Sequence, residues 1–382
     1  MNEKWLNWIP CIRVFGVAAQ KIELYCHASD ALSEFAKSGK GRVLLMSQRF
    51  VGEDSYDRML RQRAAAWPEC RSLDELTSER LRDLGAREGI DFATAVLYDR
   101  IRQSTENGPF IARIDALQER AVLPRLEGVT FAVAPGAFWR ELPRIQADGR
   151  LLRDVAADHG CRTAMIPVAS TGPLCENARS ILEWVAQQPK GPILLASLSK
   201  GGADVKLAIH AEPSAFRHVV AWINICGMLN GTPLVEFLQS RPLPRTLLSW
   251  FFRWRRLDFR MVHDLDPRSH SLLADPLRLP GHIRLISVIG FPLRNHMRNR
   301  RARLLRGVLD PLGPNDGGVL LEEVCRLPGQ VFPVWGADHY MQPKQMDLRS
   351  LTAALLSYLA DELSLSEWCG QQTATNSYGA TT

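Results

Sequence analysis

In this chain of 382 residues, Ser199, Asp316 and His339 are the side chains whose types and order can do covalent chemistry. A serine hydroxyl is a weak nucleophile near neutral pH. It needs a histidine to take its proton, and the histidine needs a carboxylate to orient it. Ser199 follows the apolar run Ile193-Leu-Leu-Ala-Ser197 and precedes Lys200-Gly201-Gly202, after which a helical pattern continues to about His210. This reads as strand, tight turn and helix with a serine at the apex, where free helix N–H groups suit a developing oxyanion. Asp316 lies in the turn-rich Leu309-Asp-Pro-Leu-Gly-Pro-Asn-Asp-Gly-Gly-Val319, which also carries a rival acid, Asp310; Asp264 and Asp266 compete as well. His339 lies in Trp335-Gly-Ala-Asp-His-Tyr340, where Asp338 reads as structural. Ser197 is expected to face the turn interior. His263, His270 and His296 read as surface residues.

These residues need elements to hold them. Strands are expected at 129–134, 163–168, 193–197, 219–225, 283–289 and 330–335, from short apolar runs bounded by turn residues. Helices are expected at 148–159, 176–187, 200–210 and 348–363. This alternation predicts an α/β fold with a mostly parallel sheet and helices on both faces. Ligands of such sheets bind beyond the carboxyl ends of the strands, where Ser199 falls. Residues 228–282 interrupt the alternation, are rich in proline, aromatics and arginine, and are long enough for a lid. Residues 1–120 read as a mainly helical region or cap. Within it Ser72-Leu-Asp-Glu75 looks like a capping box opening a helix to Leu84, and Asp91 a cap for 92–102. Arg42-Val-Leu-Leu-Met46 fits a short strand or a helix turn. The catalytic domain is expected over 121–368, and the polar segment 369–382 as a disordered tail.

Apolar residues make up 46% and charged residues 23% of the chain, as in an ordinary globular protein. The net charge is +6. Much of the excess lies in Phe251–Arg260, where arginines including Arg253, Arg255 and Arg256 alternate with aromatics. More lies in Arg294–Arg306, with Arg298, Arg300, Arg301 and Arg303 and no acid. These are solvated faces or a surface for anionic lipid. No nucleic-acid signature accompanies them, so nucleic acid is not expected as a partner. The eight cysteines are scattered without Cys-x-x-Cys pairing, which points away from a zinc site and towards free thiols in a reducing compartment. With no secretory signal and no long apolar window, a cytoplasmic protein, peripheral to a membrane at most, is expected.

Four stretches resemble the lipase-like α/β-hydrolases. Ser199-Lys-Gly-Gly is similar to their nucleophile elbow. Ile223-Asn-Ile-Cys-Gly-Met-Leu-Asn-Gly-Thr-Pro-Leu234 is similar to the strand and turn that follow the nucleophile helix. Asp264-Leu-Asp-Pro-Arg-Ser-His-Ser-Leu-Leu273 resembles a segment before the next strand. Asn315-Asp-Gly-Gly-Val319 with Asp338-His339 resembles the acid and histidine loops. The likeness spans roughly residues 128–360. It implies Ser199 as nucleophile, Asp316 as acid and His339 as base. It places the oxyanion hole at the Lys200 N–H and in the loop Pro135-Gly-Ala-Phe-Trp139, at Ala137 with Phe138. The chain departs from the pattern at Ser197, where a glycine is usual, and at Ala134-Pro135-Gly136, where His-Gly is usual before the oxyanion loop.

The expected activity is hydrolysis of a carboxylic ester, of lipid or another hydrophobic acyl group, through an acyl-enzyme and without cofactor or metal. A thioesterase or acyltransferase would use the same residues. A non-catalytic scaffold that binds a partner or a membrane is the alternative from another class.

Overall fold

The structure, a computed structural model, describes residues 55–119, 124–267, 272–297, 300–341 and 347–365. Four helices come first: α1 (Ser55–Ala65), α2 (Ser78–Glu88), α3 (Ile90–Gln103) and α4 (Gly108–Gln118). Then β1 (Thr130–Ala134), α5 (Arg150–Asp158), β2 (Arg162–Met165), α6 (Leu174–Ala186), β3 (Ile193–Leu198), α7 (Lys200–Ala211) and β4 (Val219–Ile225) alternate. The insertion holds α8 (Pro233–Gln239), α9 (Pro242–Trp254) and α10 (Arg260–Asp264). The chain closes with β5 (Arg284–Phe291), α11 (Arg300–Leu309), α12 (Leu321–Cys325), β6 (Gln330–Trp335) and α13 (Leu348–Glu362).

The six strands form one parallel sheet in the order β2-β1-β3-β4-β5-β6. Successive side chains of a strand point to opposite faces. Leu194, Ala196, Ile223 and Val288 therefore enter one core, while Ile193, Leu195, Trp222 and Leu285 enter the other. Both faces are apolar, so both are covered by helices. This is the α/β arrangement that the alternation predicts, and all six strands run parallel.

Helices α1–α4 share the first core, with Leu60, Phe92, Val96 and Ile111 packed among the sheet residues. The Phe110 ring meets Phe332 and Tyr358 edge-on, at 6.3 and 5.0 Å between centroids. On β6, the outermost strand, the Val331 N–H donates to Asn107 Oδ1 at 2.8 Å. Asp57 of α1 accepts from Trp335 Nε1 at 3.0 Å and from His296 Nε2 at 2.6 Å.

Local signals moved some expectations. The helix expected from Ser72 starts at Ser78 instead. Ser72 does hydrogen-bond Glu75, but within a turn, and the cap is Thr77, whose oxygen accepts from the Arg80 N–H. His296 is buried rather than surface-exposed, because Asp57 reaches it from far along the chain. Arg306 leaves its basic run to lie buried between Asp91 and Asp310. Asp91 lies in the first turn of α3 and spends its carboxylate on that arginine. Residues 1–54 and 366–382, including the 42–46 stretch, lie outside the described residues. So does His270.

Candidate active site

The site forms where β3 ends. Ser199 has φ 50° and ψ −119°, a left-handed conformation that strains any residue with a β-carbon. Its neighbours hold it there. The Ser199 N–H donates to the Ile225 carbonyl and its own carbonyl accepts from the Met228 N–H, both at 3.0 Å. The glycines after it permit the turn. A β-carbon on Gly201 would lie 2.5 Å from the Ala134 carbonyl oxygen, and one on Gly202 would lie 2.7 Å from Asn224 Oδ1. Among the described residues, four of the eight non-glycine residues with positive φ border this site: Phe138, Ser199, Cys226 and Met341. Strain of this kind persists only where the surroundings impose it.

Ser199 Oγ lies 2.9 Å from His339 Nε2, and His339 Nδ1 lies 2.9 Å from Asp316 Oδ2. An ionised carboxylate only accepts, so Nδ1 carries the proton and Nε2 is left to receive the serine's. Asp316 is fully buried, and its Oδ1 accepts from the Gly318 and Val319 N–H groups at 2.8 Å each. The Asp316 carbonyl also accepts from the His339 N–H at 2.9 Å. Gly318 lies so close beneath the imidazole that a β-carbon there would come within 2.3 Å of Nδ1. Burial alone would lower the His339 pKa. The Asp316 carboxylate, through charge and hydrogen bond, and Asp338 behind it more than offset this, and the pKa lies above the ordinary value of 6.5. The rival acids are occupied elsewhere: Asp310 pairs with Arg294 and Arg306, and Asp264 accepts from the Leu174 N–H.

The loop Pro135-Gly-Ala-Phe-Trp139, where the oxyanion donors are expected, lies against Ser199. A β-carbon on Gly136 would be 3.4 Å from the Ser199 β-carbon, which sets Ala137 and Phe138 at the rim of the elbow. The Gly136 N–H is taken by the Ala147 carbonyl at 2.8 Å and the Phe138 N–H points to the Ser170 carbonyl at 3.4 Å. Between them lies Ala137, and Lys200 is the first residue of α7. The Lys200 side chain turns away from the site. Its buried ammonium meets both Asp204 oxygens, at 2.7 and 2.8 Å, and Asn177 donates to the same carboxylate at 3.0 Å. Ser197 is buried, donates to Asn224 Oδ1 at 3.1 Å and accepts from Trp222 Nε1 at 2.8 Å, which leaves it out of the chemistry.

The insertion roofs this rim. Phe252 of α9 meets Phe138 edge-on at 5.9 Å, and Val235, Met261 and Leu265 join the same apolar cluster with Ala137 at its edge. Lys206 of α7 fastens both ends of the insertion, donating to the Leu229 and Leu273 carbonyls at 2.9 Å each. Burial lowers its pKa from 10.5 to about 8, with Asp275 opposing.

One neighbour of the triad escaped sequence reasoning. Cys226, at φ 47° just past β4, places its sulfur within 4.8 Å of both an Asp316 oxygen and a His339 nitrogen. Its position directly beyond a strand end, on the rim that carries Ser199, is the signal that could have found it.

No protein-family model matches the chain, and no curated protein matches it. Several solved structures are similar to it. A metagenomic carboxyl esterase is 21% identical, over 64% of this chain and 80% of that one, with a TM-score of 0.48. Lipase BlEst2 of Bacillus licheniformis in its mature form is 17% identical, over 64% and 93%, with a TM-score of 0.44. Alpha/beta hydrolase domain-containing protein 10 from mouse is 17% identical, over 64% and 96%, with a TM-score of 0.39.

Proposed function

We propose that the chain is a serine hydrolase that cleaves carboxylic esters with hydrophobic acyl groups. The observation that carries this is the hydrogen-bonded line from Ser199 Oγ to His339 Nε2 and from His339 Nδ1 to Asp316, with the serine on a strained elbow. In this reading Ser199 attacks the ester carbonyl while His339 takes its proton. The Lys200 and Ala137 N–H groups hold the charge of the tetrahedral intermediate. His339 then hands the proton to the departing alcohol, and a water repeats the sequence on the acyl-enzyme. The apolar cluster of Phe138, Phe252 and Val235 around the rim supports a hydrophobic acyl group.

Labelling with a fluorophosphonate tests the reading. The chain and its Ser197→Ala variant should label, and Ser199→Ala should not. Label that persists in Ser199→Ala removes the nucleophile, and absence of label and esterase activity in the unaltered chain favours a binding scaffold.

A second reading, compatible with the first, is docking to anionic lipid. Trp250 and Trp254 of α9 are 62% and 64% exposed and stack at 6.0 Å between centroids. Arg255 lies over the Trp254 ring at 5.8 Å, and Arg245, Arg253 and Arg256, also exposed, are near them in sequence, with no acid between residues 241 and 257. Exposed tryptophans beside arginines suit the boundary of an anionic bilayer. Arg303 is exposed on α11; Arg298 lies outside the described residues, as do the Arg300 and Arg301 side chains. Among the described residues, no helix is long and apolar enough to cross a membrane. Co-sedimentation with phosphatidylserine vesicles should weaken with salt and fall in a Trp250→Ser, Trp254→Ser double variant. Equal sedimentation of that variant counts against docking.

A further inference from the structure

Cys226, Asp316 and His339 form a buried set of one sulfur, one oxygen and one nitrogen ligand, all within 4.8 Å of one another. They come from three separate segments: the end of β4, the turn between α11 and α12, and the loop after β6. We infer that this set binds a thiophilic divalent cation such as Zn²⁺ or Cd²⁺, and that the ion switches the hydrolase off. The inhibitory half of the inference rests on the proposed triad; the binding half does not.

The ligand chemistry is that of known sites. Thiolate, imidazole and carboxylate are the three protein ligands of Zn²⁺, and a soft sulfur selects such ions over Mg²⁺ or Ca²⁺. The geometry is close to what an ion would need. His339 Nδ1 and Asp316 Oδ2 already face each other at 2.9 Å across a shared proton, which an ion can replace. The left-handed backbone at Cys226 delivers its thiol to the same place. Cysteine binds such an ion as the thiolate, so its thiol must give up a proton. Binding therefore releases one proton, that of Cys226 Sγ, while the His339 proton moves from Nδ1 to Nε2, with no change of oxidation state.

The same displacement explains inhibition. A neutral imidazole that binds metal through Nδ1 must carry its proton on Nε2. Nε2 then faces Ser199 Oγ as a donor instead of an acceptor, and no base remains for the hydroxyl. Asp316 is taken by the ion as well.

The test is titration of the full chain with Cd²⁺, following the ultraviolet charge-transfer band of a cadmium–thiolate bond together with proton release. The expected result is a saturable band, about one proton released per ion, slower fluorophosphonate labelling in step with the band, and full reversal by EDTA. Cys226→Ser should lose that band and weaken the inhibition by about tenfold or more. The other cysteines make a background that this variant keeps. An unaltered band and inhibition midpoint in Cys226→Ser overturn the inference. If the variant does not fold, X-ray absorption of the zinc complex of the unaltered chain decides: one sulfur among nitrogen and oxygen neighbours supports the site, and a shell without sulfur overturns it. The band reads the ligands whether or not the chain turns over an ester, so the hydrolase proposal and this one fail separately.

Discussion

The Ser199 N–H donates to the Ile225 carbonyl at 3.0 Å, so the end of β4 holds the elbow at the end of β3. A left-handed serine costs on the order of 1–3 kcal/mol, which the surroundings must offset. Ile225 does part of this, and it is the residue that precedes Cys226. The two strained residues, Ser199 and Cys226, thus meet at Ile225, with His339 beside both.

Asp316→Asn should cut kcat by about 10⁴ by removing the group that orients His339. His339 must be neutral to act. Its pKa is raised, so the acid limb of kcat/KM in the unaltered chain should lie above the ordinary histidine value of 6.5. In Asp316→Asn the main raising influence is gone, so the limb of the residual activity should move to lower pH. A limb that stays in place would show that Asp316 does not set the basicity of His339. pH–rate profiles with a soluble ester read both effects.

Ser197→Ala should keep its label and most of its activity but lose about 1–3 kcal/mol of stability. The cause is that Trp222 Nε1 and Asn224 Oδ1 each lose a buried partner. Urea unfolding of the labelled and unlabelled variant checks the stability loss.

Lys200→Met should destabilise by about 3–5 kcal/mol, because it leaves Asp204 buried without its cation. Adding Asp204→Leu to it should recover much of that loss. A double variant as unstable as the single one would show that the pair does more than neutralise itself. Thermal unfolding of the four chains forms the cycle.

Lys206 gives a stability trend with pH. Its folded pKa of about 8 lies below the unfolded 10.5, so between those values the unfolded chain binds more protons. Stability should therefore rise with pH across that window relative to Lys206→Met, and the difference should be level below it. Denaturant midpoints for both chains at several pH values check this.

Much of this was legible in the sequence, and the reason is local. Ile193-Leu-Leu-Ala196 is apolar without a break because both faces of a parallel strand are buried, and Gly201-Gly202 are small because carbonyl and amide groups crowd them. Ser199, Asp316 and His339 each stand beyond a strand end, so element order alone brings their loops to one rim. What was illegible depends on partners far along the chain. Asp57 buries His296 across 239 positions. Asp91 draws Arg306 out of a basic run across 215. Ser72 has every local mark of a cap, but the helix waits for Thr77, where Leu81 and Leu84 can reach the core. Cys226 is an ordinary apolar-run cysteine until the sheet sets it beside Asp316.

The bond from Val331 to Asn107 has a consequence for handling the protein. The outer side of β6 offers free N–H groups to any passing strand, and such an edge invites self-association. Asn107 occupies one of those groups, and α3 and α4 stand in front of the strand. Trimming the chain to its strand-and-helix half would uncover that edge. The shortened protein should form aggregates rich in intermolecular sheet even where its elbow and histidine loop are intact.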